Sequence, residues 1–308
     1  MFASRIFHAA KFGTPSIVRQ PLCVSHIPYY LPYELGLQLQ EHLVQRRLSA
    51  RGELRKAGVK LSAAAPSEPL SRDLKHAHEI ATMDIMLLLQ HLPVFTYGRR
   101  SDPQAEPGVQ HTLPAQVIQT RRGGLMTYHG PGQLIGYPIV DVGAMQVSAQ
   151  CYVAWLQRAL RNTLAANPLC ISTQDPPTVE PKYAGVWINS KSKIGSIGVH
   201  IRHRLTSHGF SLNVHEDSLS GFKKITACGL SDVRMTCIDE QVLQSGRIPD
   251  VPLSKVAELA AAEFGNALGR KIVPVDDSLI TYVPSVNEHG QQYVDHILVD
   301  GHKIVPAL

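Results

Sequence analysis

Between Tyr183 and Val214 the chain is written in two-residue periods. Ala184, Val186 and Ile188 alternate with Tyr183, Gly185 and Trp187, and the polar Asn189-Ser190-Lys191-Ser192 then turns into Lys193-Ile194-Gly195-Ser196-Ile197-Gly198-Val199. After a short basic link through Arg202, His203 and Arg204, Phe210, Leu212 and Val214 alternate with Ser211 and Asn213. Residues that share a face at every second position mark strands, and a polar turn between two such runs marks a hairpin. The stretch therefore predicts a mostly antiparallel sheet at the centre of the chain.

Helices flank this sheet in sequence. Tyr33 to Arg47 places Leu35, Leu39, Leu43 and Val44 on one stripe, with Gln38, Glu41, Gln45 and Arg46 opposite. Ser148 to Ala166 and Ser254 to Leu268 repeat the pattern, each with a Ser at the expected N-cap, and Gly269 closes the second. Ile85 to Leu89 and Val94 to Tyr97 read as strands ending at Gly98-Arg99-Arg100. Residues 51–75 show no sustained period and read as a surface insertion; residues 271–308 read as a strand-rich C-terminal extension. Strands and helices without regular βαβ alternation give an α+β fold with mixed or antiparallel sheets and flanking helices.

Composition narrows the setting. Of 308 residues 44% are hydrophobic and 18% charged, enough apolar side chain for a sizeable core. The longest apolar run, Ile80 to Leu92, is broken by Thr82, Asp84, Gln90 and His91, far short of the roughly 20 apolar residues of a membrane-spanning helix. A net charge of +5 suits an acidic partner and does not by itself imply nucleic acid. The five cysteines form no CxxC pair, which argues against a disulfide framework and a structural zinc site. No acidic residue precedes Glu34, while Arg5, Lys11 and Arg19 are interleaved with Ser and apolar residues. Residues 1–32 are accordingly expected to be a mitochondrial transit peptide.

Two places could carry chemistry. Arg122-Gly123-Gly124-Leu125-Met126-Thr127-Tyr128-His129-Gly130-Pro131-Gly132-Gln133 crowds glycine with basic and aromatic residues, so the backbone is expected to lie open to a ligand. It is neither a Walker loop nor a GxGxxG turn. The second is Cys228, between Thr226-Ala227 and Gly229; a nearby cation would stabilise its thiolate. Lys193 opens an apolar run where partial burial would favour the neutral amine that acid/base work needs, but Lys191, Lys223 and Lys224 compete equally on sequence alone. His200, His203, His208 and His215 are close in sequence, yet strand periodicity sets His200 and His203 on opposite faces, and no metal site is expected.

These segments, in this order, resemble the octanoyltransferases of lipoate biosynthesis, the lipoate-protein ligase B family. The signature is similar to Arg122-Gly123-Gly124-x-x-Thr127-Tyr128-His129-Gly130-Pro131-Gly132-Gln133, followed by Gly136-Tyr137-Pro138. Lys193-Ile194-Gly195-Ser196-Ile197-Gly198-Val199, Ser207-His208-Gly209 with Leu212-Asn213-Val214, and Cys228-Gly229-Leu230 match further blocks, and Leu92 to Arg100 matches the upstream strand. The likeness covers about residues 33–245 and departs at Ala227, where Pro is frequent, at Gly195, where Ala is usual, and at Cys237, where Ser is common.

The resemblance implies a catalytic domain over residues 33–270, with a fold similar to the biotin and lipoate protein ligases. It implies that Cys228 is the acyl-thioester nucleophile and that Lys193 lowers its pKa and shuttles protons. Arg122, Gly123, Gly124, Leu125, Met126, Thr127, Tyr128 and His129 would hold the acyl substrate, with Ser196, Ile197 and Gly198 and with Gly209, Phe210 and Ser211. The implied reaction moves an octanoyl group from acyl carrier protein to a lysine of lipoyl domains, those of 2-oxoacid dehydrogenase complexes and the glycine cleavage H protein, in the mitochondrial matrix. No cofactor, ATP or metal is expected. A basic rim of Arg99, Arg100, Arg202 and Arg204 would steer an acidic carrier. The competing readings are an ATP-dependent lipoate-protein ligase, which needs no nucleophilic Cys, and a noncatalytic acyl-binding protein.

Overall fold

The computed structural model describes residues 20–61, 69–101, 115–178, 180–225 and 232–306. Cys228 and residues 1–19 of the expected leader lie outside them, as do residues 62–68.

The helices are α1 (Tyr33–Lys56), α2 (Arg72–Thr82), α3 (Ala149–Ala165), α4 (Ile238–Gln244) and α5 (Leu253–Leu268). The strands before the central hairpin are β1 (Leu22–Leu31), β2 (Asp84–His91), β3 (Val94–Tyr97), β4 (Gln116–Gln119), β5 (Thr127–His129) and β6 (Gln133–Ile139). The hairpin and its successor are β7 (Gly185–Asn189), β8 (Ser192–Arg202), β9 (Leu205–Asn213) and β10 (Arg234–Met235). The last four are β11 (Ile272–Pro274), β12 (Ile280–Val286), β13 (Gln292–Val299) and β14 (His302–Ile304). Among the described residues these make a large mixed sheet, β10-β8-β9-β6-β2-β1-β13-β12, and a small one, β4-β3-β5.

The large sheet is covered on both faces, which explains why Ile85 to Leu89 of β2 read as an unbroken apolar run. Ile85, Leu87 and Leu89 face α1 with Leu35, Leu39 and Leu43. Met86 and Leu88 face the opposite layer, where Tyr152 and Leu156 of α3 pack with Val256 and Phe264 of α5. α3 starts at its expected cap, Ser148, whose hydroxyl accepts from the Cys151 N–H at 3.1 Å. α5 ends at the left-handed Gly269 but begins after Pro252, so Ser254 lies inside the helix and caps nothing.

Three sequence boundaries are corrected. Leu22, Ile27 and Leu31 are at most 2% exposed, and β1 pairs in parallel with β2, so a leader reaching residue 32 would remove a strand from the middle of the sheet. Any leader must end before Leu22. Residues 51–75 are not one insertion: α1 continues to Lys56 with Leu54 fully buried, and α2 begins at Arg72. The C-terminal extension is part of the main sheet, because β11 and β13 both pair with β1.

Candidate active site

Where the two sheets meet lies an open cleft of about 550 Å³. Arg122, Gly123, Gly124, Leu125, Thr127 and His129 line it from β5 and the loop before it; Ser196, Ile197 and Gly198 line it from β8, and Gly209, Phe210 and Ser211 from β9. The sequence-derived substrate residues are therefore brought together, with two exceptions. Strand alternation turns Met126 and Tyr128 to the other side of β5, into an apolar cluster with Phe95, Phe222, Met235 and Cys237. The Tyr128 ring lies 5.7 Å from that of Phe222, and a side chain at Gly221 would collide with it.

The glycines open the backbone mainly to other protein. A Cβ on Gly198 would sit 2.7 Å from the Gly123 carbonyl oxygen, one on Gly209 would strike the Gly136 carbonyl, and one on Gly136 the Phe210 ring. Gly124 has φ 101°, a conformation that L side chains avoid. The Gly123 N–H donates to the Val199 carbonyl at 3.0 Å, hanging the loop on β8. Arg122, 7% exposed, braces the same loop: its Nη2 donates to the Thr96 carbonyl at 2.8 Å and to the Thr96 hydroxyl at 2.7 Å.

Sequence reasoning named Tyr137 and His208 within matching blocks but missed Tyr33 and His91, which complete a buried polar floor with them. His91 Nδ1 donates to the Leu31 carbonyl at 2.8 Å, so Nε2 accepts from the Tyr137 hydroxyl at 2.7 Å. Burial lowers His91 to about 4 and, with the Arg122 charge as second cause, His208 to about 3. Burial also holds His129 well below its usual value and Tyr137 well above. The signal was present in sequence as a histidine ending an apolar run at His91.

These neutral histidines fix a pH response. An unfolded histidine titrates near 6.5, so between about pH 6.5 and 4 the unfolded chain binds protons that folded His91 does not. Stability is thus full above that window and falls as pH drops through it, by about 1.4 kcal/mol per pH unit for each such histidine. Thermal unfolding followed from pH 7.5 to 4.5 should show the midpoint falling steeply below about 6.5; a flat profile would contradict buried neutral imidazoles.

Lys193, 1% exposed, sits near the start of β8, with Nζ 5.4 Å from the Trp187 ring centroid. A Cβ on Gly185 would come within 3.2 Å of Nζ, so glycine there makes room for the amine. β10 pairs with this strand through Met235 and Lys193, and the Thr236 N–H donates to the Lys193 carbonyl at 2.9 Å. That strand follows directly on the segment carrying Cys228. Cys237, which departs from the family pattern, is fully buried, and burial pushes its thiol up to about 12, so it is a poor nucleophile. Of the expected rim, Arg100 lines the cleft, Arg202 pairs with Glu41 at 2.7 Å, and Arg204 packs on Gly143, beside a different cavity.

The fold is shared with lipoate protein ligases. A putative lipoate protein ligase from T. acidophilum with bound lipoic acid superposes with a TM-score of 0.52 at 12% identity, covering 84% of this chain and 90% of that one. A lipoate-protein ligase A bound with ATP gives 0.52 at 12%, covering 84% and 89%. Residues 66–265 match the model of the lipoyl protein ligase A/B catalytic domain. An octanoyltransferase of Acidobacterium capsulatum is 36% identical over 66% of this chain and 85% of its own length. Mitochondrial octanoyltransferases of Kluyveromyces lactis and Saccharomyces cerevisiae are 31% and 30% identical, over 84% and 68% of this chain and 89% and 72% of their own lengths. The chain belongs to the lipoyl protein ligase A/B catalytic-domain family, among its octanoyltransferases. It is an acyltransferase of lipoate biosynthesis.

Proposed function

We propose that the enzyme takes its octanoyl group from octanoyl-acyl carrier protein and passes it through a Cys228 thioester to a lysine of lipoyl domains. The observation that carries the reading is the buried Lys193 on β8, paired with the strand into which the Cys228 segment runs. The Cys228 thiolate attacks the carrier thioester; a new C–S bond forms, the old one breaks, and Lys193 protonates the departing thiolate. The acceptor amine then attacks the Cys228 thioester, giving the amide and restoring the thiol. Exchange of one thioester for another is nearly isoenergetic and conversion to an amide is downhill, so the reaction needs no ATP to drive it.

The acceptors in this reading are the lipoyl domains of 2-oxoacid dehydrogenase complexes and the glycine cleavage H protein. The two yeast relatives are mitochondrial, and the enzyme is a mitochondrial one that works in the matrix. Intact-mass spectrometry of the protein mixed with octanoyl-acyl carrier protein, without ATP, tests the reading. An octanoyl adduct should appear and map to the peptide containing Cys228. Octanoylation of a lipoyl domain that requires ATP and free octanoate, with no adduct on the enzyme, would favour a ligase, and neither adduct nor transfer would favour a noncatalytic acyl binder.

A further inference from the structure

A second open cavity, of about 1020 Å³, lies at the end of the large sheet where β2 begins, β6 ends and β8 turns into β9. None of its described lining residues lines the cleft. Four arginines line it, Arg47 and Arg51 from α1, Arg204 from the β8-β9 turn and Arg270 from just after α5, against two carboxylates, Asp84 and Asp141. Arg47 and Arg51 are four residues apart and so share a face of α1. Asp84 pairs with Arg47 at 2.7 Å and with Arg270 at 2.5 Å, one on each oxygen, and Asp141 Oδ2 takes Arg51 at 2.6 Å. Asp141 Oδ1 accepts from the Gly143 and Ala144 N–H groups at 2.8 and 2.9 Å, so every carboxylate oxygen is engaged. Two positive charges remain unmatched. The Nε–H groups of Arg47 and Arg51, both buried, have no acceptor among the described residues, and an unmade bond of a buried donor is costly.

Arg204 is held at this cavity by a strained turn. Arg202 pairs with Leu205, so the β8-β9 connection is the two residues His203-Arg204, with φ 49° and 66°. Both lie in the left-handed region, where Asn-Gly is the favoured pair and longer side chains are strained. A Cβ on Gly143 would come within 2.4 Å of Arg204 Cδ, so glycine there seats the stem, and the Arg204 carbonyl accepts from the Val142 N–H at 3.0 Å. Yet among the described residues the Arg204 guanidinium has no hydrogen-bond or ion-pair partner. We infer that this cavity binds a phosphoryl dianion, with Arg204 and Arg51 as its direct ligands and the charges of Arg47 and Arg270 behind them. Two unmatched positive charges call for a dianion, which a monocarboxylate such as octanoate does not supply, and guanidinium forks engage phosphoryl oxygens in pairs. Leu61, Ala81 and Met145 add apolar wall, and the volume is about that of a small-molecule site, so an organic group attached to the phosphoryl has room.

Titration calorimetry of the whole protein with inorganic phosphate and with phenyl phosphate, in chloride buffer of fixed ionic strength, tests the site. Both should bind once per chain, and Arg204→Gly should weaken them at least tenfold, whereas Arg100→Gln, at the cleft, should change neither by more than about twofold. Glycine suits the turn, so Arg204→Gly should also unfold at a higher temperature than wild type in phosphate-free buffer, which shows that lost binding is not lost folding. Tighter binding of phenyl phosphate than of phosphate assigns the site to a phosphorylated small molecule; equal binding assigns it to the free anion. The inference is overturned if neither ligand binds at about 10 mM, or if binding survives Arg204→Gly and is lost in Arg100→Gln.

Discussion

Replacing Lys193 by Met should lower octanoyl transfer by about 10²- to 10⁴-fold, the range that general acid–base catalysis contributes. Met keeps most of the length and apolar bulk of the lysine stem, so the packing around the fully buried Trp187 and against β10 should persist. What disappears is the nitrogen. Without it nothing at this position protonates the leaving thiol of the carrier or takes the proton from the attacking amine. Both half-reactions should therefore slow. Steady-state transfer to a lipoyl domain, with circular dichroism to confirm the fold, checks it. Activity within threefold of wild type would remove Lys193 from the mechanism and return Lys191, Lys223 and Lys224 to contention.

The sequence was most legible where one physical period dominated. The β7-β8 hairpin, β9, α3 and the Leu35-Leu39-Leu43 stripe of α1 all lie where their periodicity puts them. β1 was misread because its neighbourhood lacks acidic residues, and composition outweighed pattern. Both of its faces are buried, Leu22 in the layer of α3 and α5 and Ile27 and Leu31 in the layer of α1, so no apolar/polar alternation marks it as a strand. The C-terminal strands were recognised as strands but not placed, because β11 and β13 pair with a partner some 250 residues earlier, and nothing local encodes that partner.

The cleft was legible as a set of segments, and less so as a set of side chains. Met126 and Tyr128 belong to the signature by adjacency, yet β5 turns them away while Thr127 and His129 face inward. Strand period alone would have sorted them. The glycines were read correctly as special positions, but most of the freed space is filled by carbonyls and rings of the protein itself. Tyr33 and Tyr137 reach the cleft from α1 and β6, elements whose sequences otherwise announce only a core. The hydrogen bond from Gln133 Nε2 to Asn213 Oδ1, at 2.9 Å, was not visible at all, because two buried amides 80 residues apart declare their pairing only when β6 and β9 align.

Asp84→Ala should destabilise the protein by about 3–5 kcal/mol, the range for removing one partner of a buried ion pair. Asp84, 6% exposed, forms an ion pair with Arg47 Nη1 at 2.7 Å through one oxygen and accepts from Arg270 Nη1 at 2.5 Å on the other. It also accepts from the Asp141 N–H at 3.1 Å. Both guanidinium groups are only 3% exposed, so removing the carboxylate leaves two nearly buried cations without the partner they share. The consequence reaches past β2. Arg270 also donates to the Gln20 and Pro21 carbonyls, at 2.6 and 2.8 Å, and Arg47 to the Ile139 carbonyl at 3.0 Å, so one carboxylate ties α1, the entry to β1, the end of β6 and the turn after α5. Against a typical total stability of about 5–15 kcal/mol, a loss of this size removes a large share of it. Urea unfolding of Asp84→Ala should show a sharply lower midpoint, and Arg47→Met combined with Asp84→Ala should recover part of the loss because one stranded charge is gone. A midpoint unchanged by Asp84→Ala would mean that the two arginines find solvent or another carboxylate when Asp84 is absent.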